Sequence, residues 1–251
     1  SEVTGWQVGD RLAAGVGTGG FAEKVVVDAS RAYRIPEGVD LTMAAGFLTT
    51  YGTSYHALKD RAHLAPGETL LVLGAAGGVG LAAVELGAAM GAHVIAAAST
   101  EEKLAVCRKF GAAATVNYTE VDLKAWLKEY TGGKGVDVVY DPVGGDLSEP
   151  ALRSTGWKGR FLVIGFAGGA IPRIPLNLPL LKGCSIVGVF YGEHGTRSPH
   201  EQRALVEELI EMLASGRIKP EVTAQFSLDE APKALRELMD RKVIGKAVVV
   251  P

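Results

Sequence analysis

Glycines 74, 77, 78 and 80 sit between an uncharged run, Thr69-Leu-Leu-Val-Leu73, and a small-residue stretch, Leu81 to Met90. That arrangement suits the binding of a diphosphate. A buried strand ending in small residues brings the backbone close to an anion, and the following helix offers unpaired N–H groups and a partial positive charge. Gly77 permits the close approach and Gly80 lets the helix lie against the strand, so Ala76, Gly77, Gly78 and Val79 are the candidate cradle. Ala75 stands where the common G-x-G-x-x-G pattern has its first glycine. About 20 residues on, where an NAD-selective fold carries Asp or Glu for the ribose hydroxyls, this chain has Ser99 and Thr100. A hydroxyl does not repel a 2′-phosphate, and Lys103 lies one helical turn further, so the spacing favours NADPH over NADH. Ser99 and Glu102 also have capping-box spacing. Glu101 and Glu102 count against a phosphate if they point inward.

Other chemistries find little support. Cys107 and Cys184 are isolated, and His56, His63, His93, His194 and His200 show no H-E-x-x-H spacing, so no metal is expected. His56 reads as a packed helix residue. No G-x-S-x-G elbow or Cys/His pair indicates acyl transfer. The chemistry left is hydride transfer to an acceptor, such as a quinone or activated alkene, that delocalises the charge onto its own oxygens without a Lewis acid. Proton delivery falls to solvent or to a phenol, for which Tyr51 is the candidate, with a pocket-wall role as its alternative.

The elements that must hold these residues follow from periodicity. Six apolar runs, at about 69–73, 93–98, 113–117, 136–140, 160–164 and 185–190, alternate with helical segments at 81–90, 100–110, 119–130 and 147–155. Strands alternating with helices imply right-handed crossovers and a parallel sheet, an α/β, Rossmann-type doubly wound fold. A Pro- and Gly-rich loop is expected at 165–179. Ligands bind such a sheet at the carboxyl ends of its strands. That edge carries Asp141-Pro142-Val143-Gly144, Gly165-Phe166-Ala167 and Val189-Phe190-Tyr191, with Asp-Pro and Gly-Gly as plain turn formers in the alternative reading.

Both ends of the chain depart from this rhythm. Short glycine-punctuated strands are expected at 8–12, 15–20 and 21–28, a long amphipathic helix at 199–215, a strand near 221–226, a helix from about Leu228 or Asp229 to Arg241, and a last strand at 246–250. The expected division is residues 1–50, a dinucleotide-binding domain at 51–191, and a return at 192–251, the two ends forming one discontinuous module.

The 251 residues carry a net charge of −2 and are 47% hydrophobic, with no basic stripe for nucleic acid and no apolar segment of membrane-spanning length. Isolated cysteines and the absence of an export signal at Ser1 make cytoplasm the expected location.

Val8-Gly-Asp-Arg, Tyr51-Gly-Thr-Ser-Tyr-His-Ala-Leu58, Gly74-Ala-Ala-Gly-Gly-Val-Gly80, Asp141-Pro-Val-Gly-Gly145 and Gly245-Lys246-Ala-Val-Val occur in this order. In these motifs the chain resembles the zinc-free quinone oxidoreductases, the zeta-crystallin-like branch of the medium-chain dehydrogenase/reductase superfamily. The resemblance implies a GroES-like β-rich catalytic domain, here truncated because the family has a further β-rich stretch ahead of Val8. It places a phenol at Tyr118 on the 2′-phosphate and sets Gly165–Ala167 and Val189–Tyr191 beside the diphosphate and nicotinamide. It also puts Thr53 at the nicotinamide end and Lys246 near the cofactor. It implies NADPH-dependent reduction of a quinone or other α,β-unsaturated carbonyl compound, with enoyl-thioester reduction, or cofactor binding with little turnover, as alternatives. A homodimer through the strand at 185–190 is expected, because topology puts that apolar strand at the sheet edge.

Overall fold

In the computed structural model residues 3–240 and 242–251 are described. Two three-residue strands, β1 (Leu12–Ala14) and β2 (Ala32–Arg34), pair antiparallel, and α1 (Leu41–Tyr55) runs into a π-helical turn at His56–Arg61. An alternating series follows: β3 (Thr69–Leu73), α2 (Gly78–Ala89), β4 (His93–Ala98), α3 (Glu101–Lys109), β5 (Ala114–Asn117), α4 (Leu123–Tyr130), β6 (Val136–Asp141) and α5 (Ser148–Arg153). Then come β7 (Thr155–Val163), α6 (Asn177–Lys182), β8 (Ser185–Gly188) and α7 (Tyr191–Arg197). The chain closes with α8 (Pro199–Ala214), β9 (Val222–Ser227), α9 (Ala231–Met239) and β10 (Lys246–Val250).

Six strands form one parallel sheet in the spatial order β5-β4-β3-β6-β7-β8. Numbered within the sheet this is 3-2-1-4-5-6, the doubly wound Rossmann order, whose direction of winding reverses between β3 and β6. Both faces are covered, which is why the strands are apolar at nearly every position. Leu71, Leu73, Ile95 and Val139 pack with Leu123 and Leu127 of α4 and Ala151 and Leu152 of α5. On the opposite face α2 lies so close that a Cβ at Gly87 would sit 2.6 Å from Leu70 and 3.0 Å from Val94.

The chain divides into two compact units, Thr53–Arg197 around the large sheet, and a second from Ser1–Gly52 with Ser198–Pro251. In the second unit β9 and β10 pair in parallel, and the Arg203 guanidinium of α8 lies over the Tyr33 ring and donates to the Ser30 carbonyl at 2.9 Å. Among the described residues no helix is long and apolar enough to cross a membrane.

Several boundaries differ from those the sequence predicts. Residues 21–28 form no strand: Val26 is 99% exposed and pairs with no strand among the described residues. Helix α4 starts at Leu123 rather than 119, because the Asp122 carboxylate accepts from Ala125 N at 2.6 Å and sets the cap. Strand β7 begins at Thr155, five residues early, and α6 starts within the expected 165–179 loop. Strand β8 ends at Gly188, and residues from Tyr191 on form α7. At the C-terminal helix both start signals operate: Ser227 and Glu230 form a capping box, and Pro232 falls in the first turn of α9. The predicted end of that helix, Arg241, lies outside the described residues.

One ion pair clamps the amino end of the sheet. Arg160 of β7 donates from both terminal nitrogens to Glu68, at 2.8 and 2.6 Å, and from Nε to the Ala62 carbonyl at 3.0 Å. Hydrogen bonding by Arg160, which outweighs desolvation, holds the Glu68 carboxyl below its ordinary value of 4.5. Glu68→Gln is expected to destabilise the fold by about 2 kcal/mol in urea unfolding at pH 7. Because the folded-state value is depressed, the Glu68 contribution is fully present above pH 4.5 and disappears as pH falls through that lower value. The variant should lack this part of the acid-induced loss.

Candidate active site

The carboxyl edge of the sheet is built by turns that leave no room for side chains. Gly74, just past β3, has φ +56°, and a Cβ there would lie 2.7 Å from the Val143 side chain beyond β6. A Cβ at Gly80 would run into the Gly74 carbonyl oxygen and come within 2.9 Å of Ala75 Cα. Helix α2 therefore starts directly on the end of β3, at the point where the winding reverses. Its N-cap is Gly77, which is exposed and brings no side-chain hydrogen bond. The first-turn N–H groups of Gly78 and Val79 lack intrahelical acceptors, while the Gly77 N–H is taken by the Gly74 carbonyl at 3.0 Å. A cradle of backbone donors with a Cβ excluded behind it fits a dinucleotide diphosphate.

A buried relay fixes this first turn. Ser54 of α1 donates to the Val79 carbonyl at 2.8 Å, and its oxygen lies 2.8 Å from the Tyr140 hydroxyl in β6. Burial pushes the Tyr140 phenol pKa upward, against a smaller opposing effect of Ser54. The phenol is therefore the donor to Ser54, whose own proton goes to Val79. Thr53, adjacent in α1, is half-buried.

Beyond β4 the helix cap is Thr100, not Ser99: its hydroxyl accepts from Lys103 N at 3.4 Å. Ser99 is left to the Lys103 ammonium, 3.5 Å from its hydroxyl. Tyr118 follows β5 and joins this group through its backbone N–H, which donates to the Ala98 carbonyl at 3.3 Å. Ser99, Lys103 and Tyr118 thus lie together at the ends of two adjacent strands. Glu101 is exposed and ion-paired with Arg108, and Glu102 is exposed, so neither carboxylate is packed into the group.

The remaining edge residues are tied by backbone bonds. Asp141, 3% exposed, accepts from Val143 N and Gly144 N, both at 2.9 Å, and from the Ser148 hydroxyl at 2.6 Å. It acts as the organiser of the Pro142–Val143 turn. Ala167 N donates to the Pro142 carbonyl at 3.0 Å, Gly168 N to Val143 at 2.8 Å, and Val189 N to Val163 at 3.0 Å. Pro142, Val143, Gly165, Phe166, Ala167 and Val189 form one continuous rim, with Phe190 and Tyr191 following. Tyr51 and Lys246 belong to the other unit. Tyr51 is buried and stacked on Phe47 at 5.1 Å, and Lys246 lays its stem over Gly46, where burial lowers its pKa.

Residues 78–213 match the family model described as zinc-binding dehydrogenase. A quinone oxidoreductase-like protein 2 homolog of Nematostella vectensis is 40% identical over 252 residues, covering 99% of this chain and 69% of that protein. The chain belongs to the zinc-independent quinone oxidoreductase branch of the medium-chain dehydrogenase/reductase superfamily. A quinone oxidoreductase of Pseudomonas aeruginosa is 33% identical, with 100% of this chain and 78% of that one covered. Among solved structures, the quinone oxidoreductase of Thermus thermophilus, also determined in complex with NADPH, is 35% identical with a TM-score of 0.83. It covers 98% of this chain and 78% of its own.

The donors of this family member do not fit the cysteine-liganded zinc that the family model's description implies. Both thiols are buried in the body of the sheet unit, Cys107 in α3 and Cys184 ahead of β8. Burial pushes the Cys107 pKa up to about 12 and raises that of Cys184. Two features escaped the sequence reading: the Ser54–Tyr140 relay, whose members lie far apart in sequence, and a group of His56, Asp60 and His194. Only the His56–Asp60 spacing of four gave a local signal.

The relay predicts an asymmetry between its two members. Ser54→Ala strands a buried phenol and releases the Val79 carbonyl, so it should cost about 2 kcal/mol and weaken dinucleotide binding several-fold. Tyr140→Phe leaves the Ser54–Val79 bond intact and should cost about half as much. Urea unfolding and cofactor titration of the two variants check this.

Proposed function

We propose that this chain binds NADPH along the carboxyl edge of its sheet and reduces an electron-poor acceptor, a quinone or α,β-unsaturated carbonyl compound, with no metal on the reacting atoms. The observation that carries the reading is the contact of Lys103 with Ser99 just past β4, the strand next to β3, with neither Glu101 nor Glu102 packed into it as a carboxylate that would select NADH. The NADPH complex of the Thermus relative and the quinone oxidoreductase names of the other relatives support it.

When bound, the reduced nicotinamide supplies a hydride. The protein's own contribution is orientation. The first turn of α2, fixed by Ser54, offers N–H groups to the diphosphate, while Lys103 and the Ser99 and Tyr118 hydroxyls serve the 2′-phosphate. The rim of Pro142, Val143, Gly165–Ala167 and Val189–Tyr191, with Thr53, shapes the nicotinamide end and excludes water there. By the family resemblance, residues 1–50 and 192–251 belong to the catalytic domain, and Lys246 and Tyr51 are assigned to it as candidate cofactor-side and pocket-wall residues. The buried thiols suit a reducing compartment, and we place the protein in the cytoplasm.

Lys103→Glu should raise the KM for NADPH about tenfold or more while leaving that for NADH nearly unchanged, and Ser99→Asp should shift preference toward NADH. Equal effects on both cofactors would sink the 2′-phosphate assignment. Steady-state NADPH oxidation with a quinone and with an enoyl-CoA identifies the acceptor class, and oxidation by neither removes the enzyme reading.

The outermost strand β8 supports a homodimer. Its free edge is flanked by an apolar surface including Ile186, Leu181, Leu180 at 78% exposure and Phe190 at 75%. Pairing of β8 with a second copy would cover that edge. Light scattering at micromolar concentration should give twice the chain mass for the wild type and the chain mass for Ile186→Arg. A wild-type monomer rules the proposal out.

A further inference from the structure

The group His56, Asp60 and His194 takes no part in the hydride-transfer reading and does not depend on it. His56 and Asp60 share the π-helical turn after α1, four residues apart, with His56 Nδ1 3.0 Å from Asp60 Oδ2. His194 comes from α7, which follows the edge strand, and its ring lies on that of His56 with centroids 4.2 Å apart and planes at 22°. One ligand atom from each of the three side chains can be chosen so that all lie within 4.8 Å of one another. A side-chain bond already ties the turn to the end of β8, since Arg61 Nε donates to the Gly188 carbonyl at 3.2 Å.

The geometry points to a binding site for a divalent transition-metal ion, Zn²⁺ or a neighbour in its series, held by His56, Asp60 and His194. Two imidazoles and one carboxylate are borderline donors that suit zinc, cobalt, nickel or copper rather than magnesium or calcium. Ligand atoms bonded to zinc at about 2.0–2.1 Å in a tetrahedron are separated by roughly 3.3 Å. The His56–Asp60 contact, at 3.0 Å, is already close to that spacing, and the third atom, within 4.8 Å of the others, has to approach by up to about 1.5 Å. His194, less buried than His56 and carried on a seven-residue helix, is the side chain that turns to converge on the ion. Binding would draw one in-plane ring nitrogen of each imidazole and an Asp60 oxygen onto one cation, with the His194 ring turned out of its stack on His56. His56 forms the buried wall, while partly exposed Asp60 and His194 leave an entry path and a position for water. π-Helical turns recur at functional sites, and here the turn supplies two of the three ligands. The bound ion would cross-link this turn to α7 and fix the exit of the edge strand, a structural or regulatory role distinct from Lewis-acid catalysis.

The test is metal titration of the full 251-residue chain after treatment with a chelator. Zn²⁺ or Co²⁺ should bind at one ion per chain, raise the melting temperature by a few degrees in a concentration-dependent way, and give visible Co²⁺ absorption. His194→Ala and Asp60→Asn should each weaken binding at least tenfold, while His93→Gln and His200→Gln should not. Absence of uptake by the folded chain at about 1 mM ion, or uptake unchanged in His194→Ala and Asp60→Asn, would overturn the proposal and leave a His–Asp pair with a stacked neighbour. Should either variant fail to fold, paramagnetic Co²⁺ decides the matter on the wild type. Broadening confined first to the His56 and His194 ring protons supports the site, and broadening elsewhere overturns it.

Discussion

The contact between the first turn of α2 and the end of β3 constrains everything else in the sheet unit. Gly80 against the Gly74 carbonyl and Gly74 against Val143 leave no space for a single added carbon, so the helix begins where the strand ends. That closeness puts the N-terminal N–H groups of α2 at the end of β3, and it demands an outside brace. Ser54 provides one by taking the Val79 carbonyl, and Tyr140 anchors Ser54 from the neighbouring strand. Removing the glycines or the brace moves the same few backbone groups, so packing and binding are one problem at this turn.

A second layer of organisation is the stitching of loops by backbone alone. The turn after β6 accepts from the loop after β7, and the residue following β8 donates to β7. Side chains contribute mainly at Asp141, whose buried carboxylate closes the Pro142–Val143 turn. A rim made this way holds its shape while its side chains vary, in keeping with a TM-score of 0.83 to a solved structure that is 35% identical.

The alternation of strands and helices was legible because each strand of a doubly covered sheet is apolar on both faces and each helix on one. The glycine turn was legible because close approach leaves a compositional mark. What escaped the sequence was of two kinds. Some was competition between adjacent residues of the same chemistry: Ser99 and Thr100 can both cap, and Asp122 overrode the hydroxyl-rich start at 119. The rest was long-range, since nothing near His56 announces His194, and nothing near Ser54 announces Tyr140. At 21–28 the run Val25-Val26-Val27 behind glycine turns suggested a strand, yet a strand exists only where another offers its backbone.

The division of labour between Ser99 and Thr100 has an evolutionary consequence. Thr100 carries the helix cap, so the residue at 99 contributes little to the stability of α3 and is open to replacement. Under the proposed 2′-phosphate role of Ser99, drift at that one position would explore new nucleotide preferences without eroding the fold. In a lineage whose members differ in their reductant, cofactor choice and folding stability then lie on separate adaptive axes, and a change in one need not wait for compensation in the other.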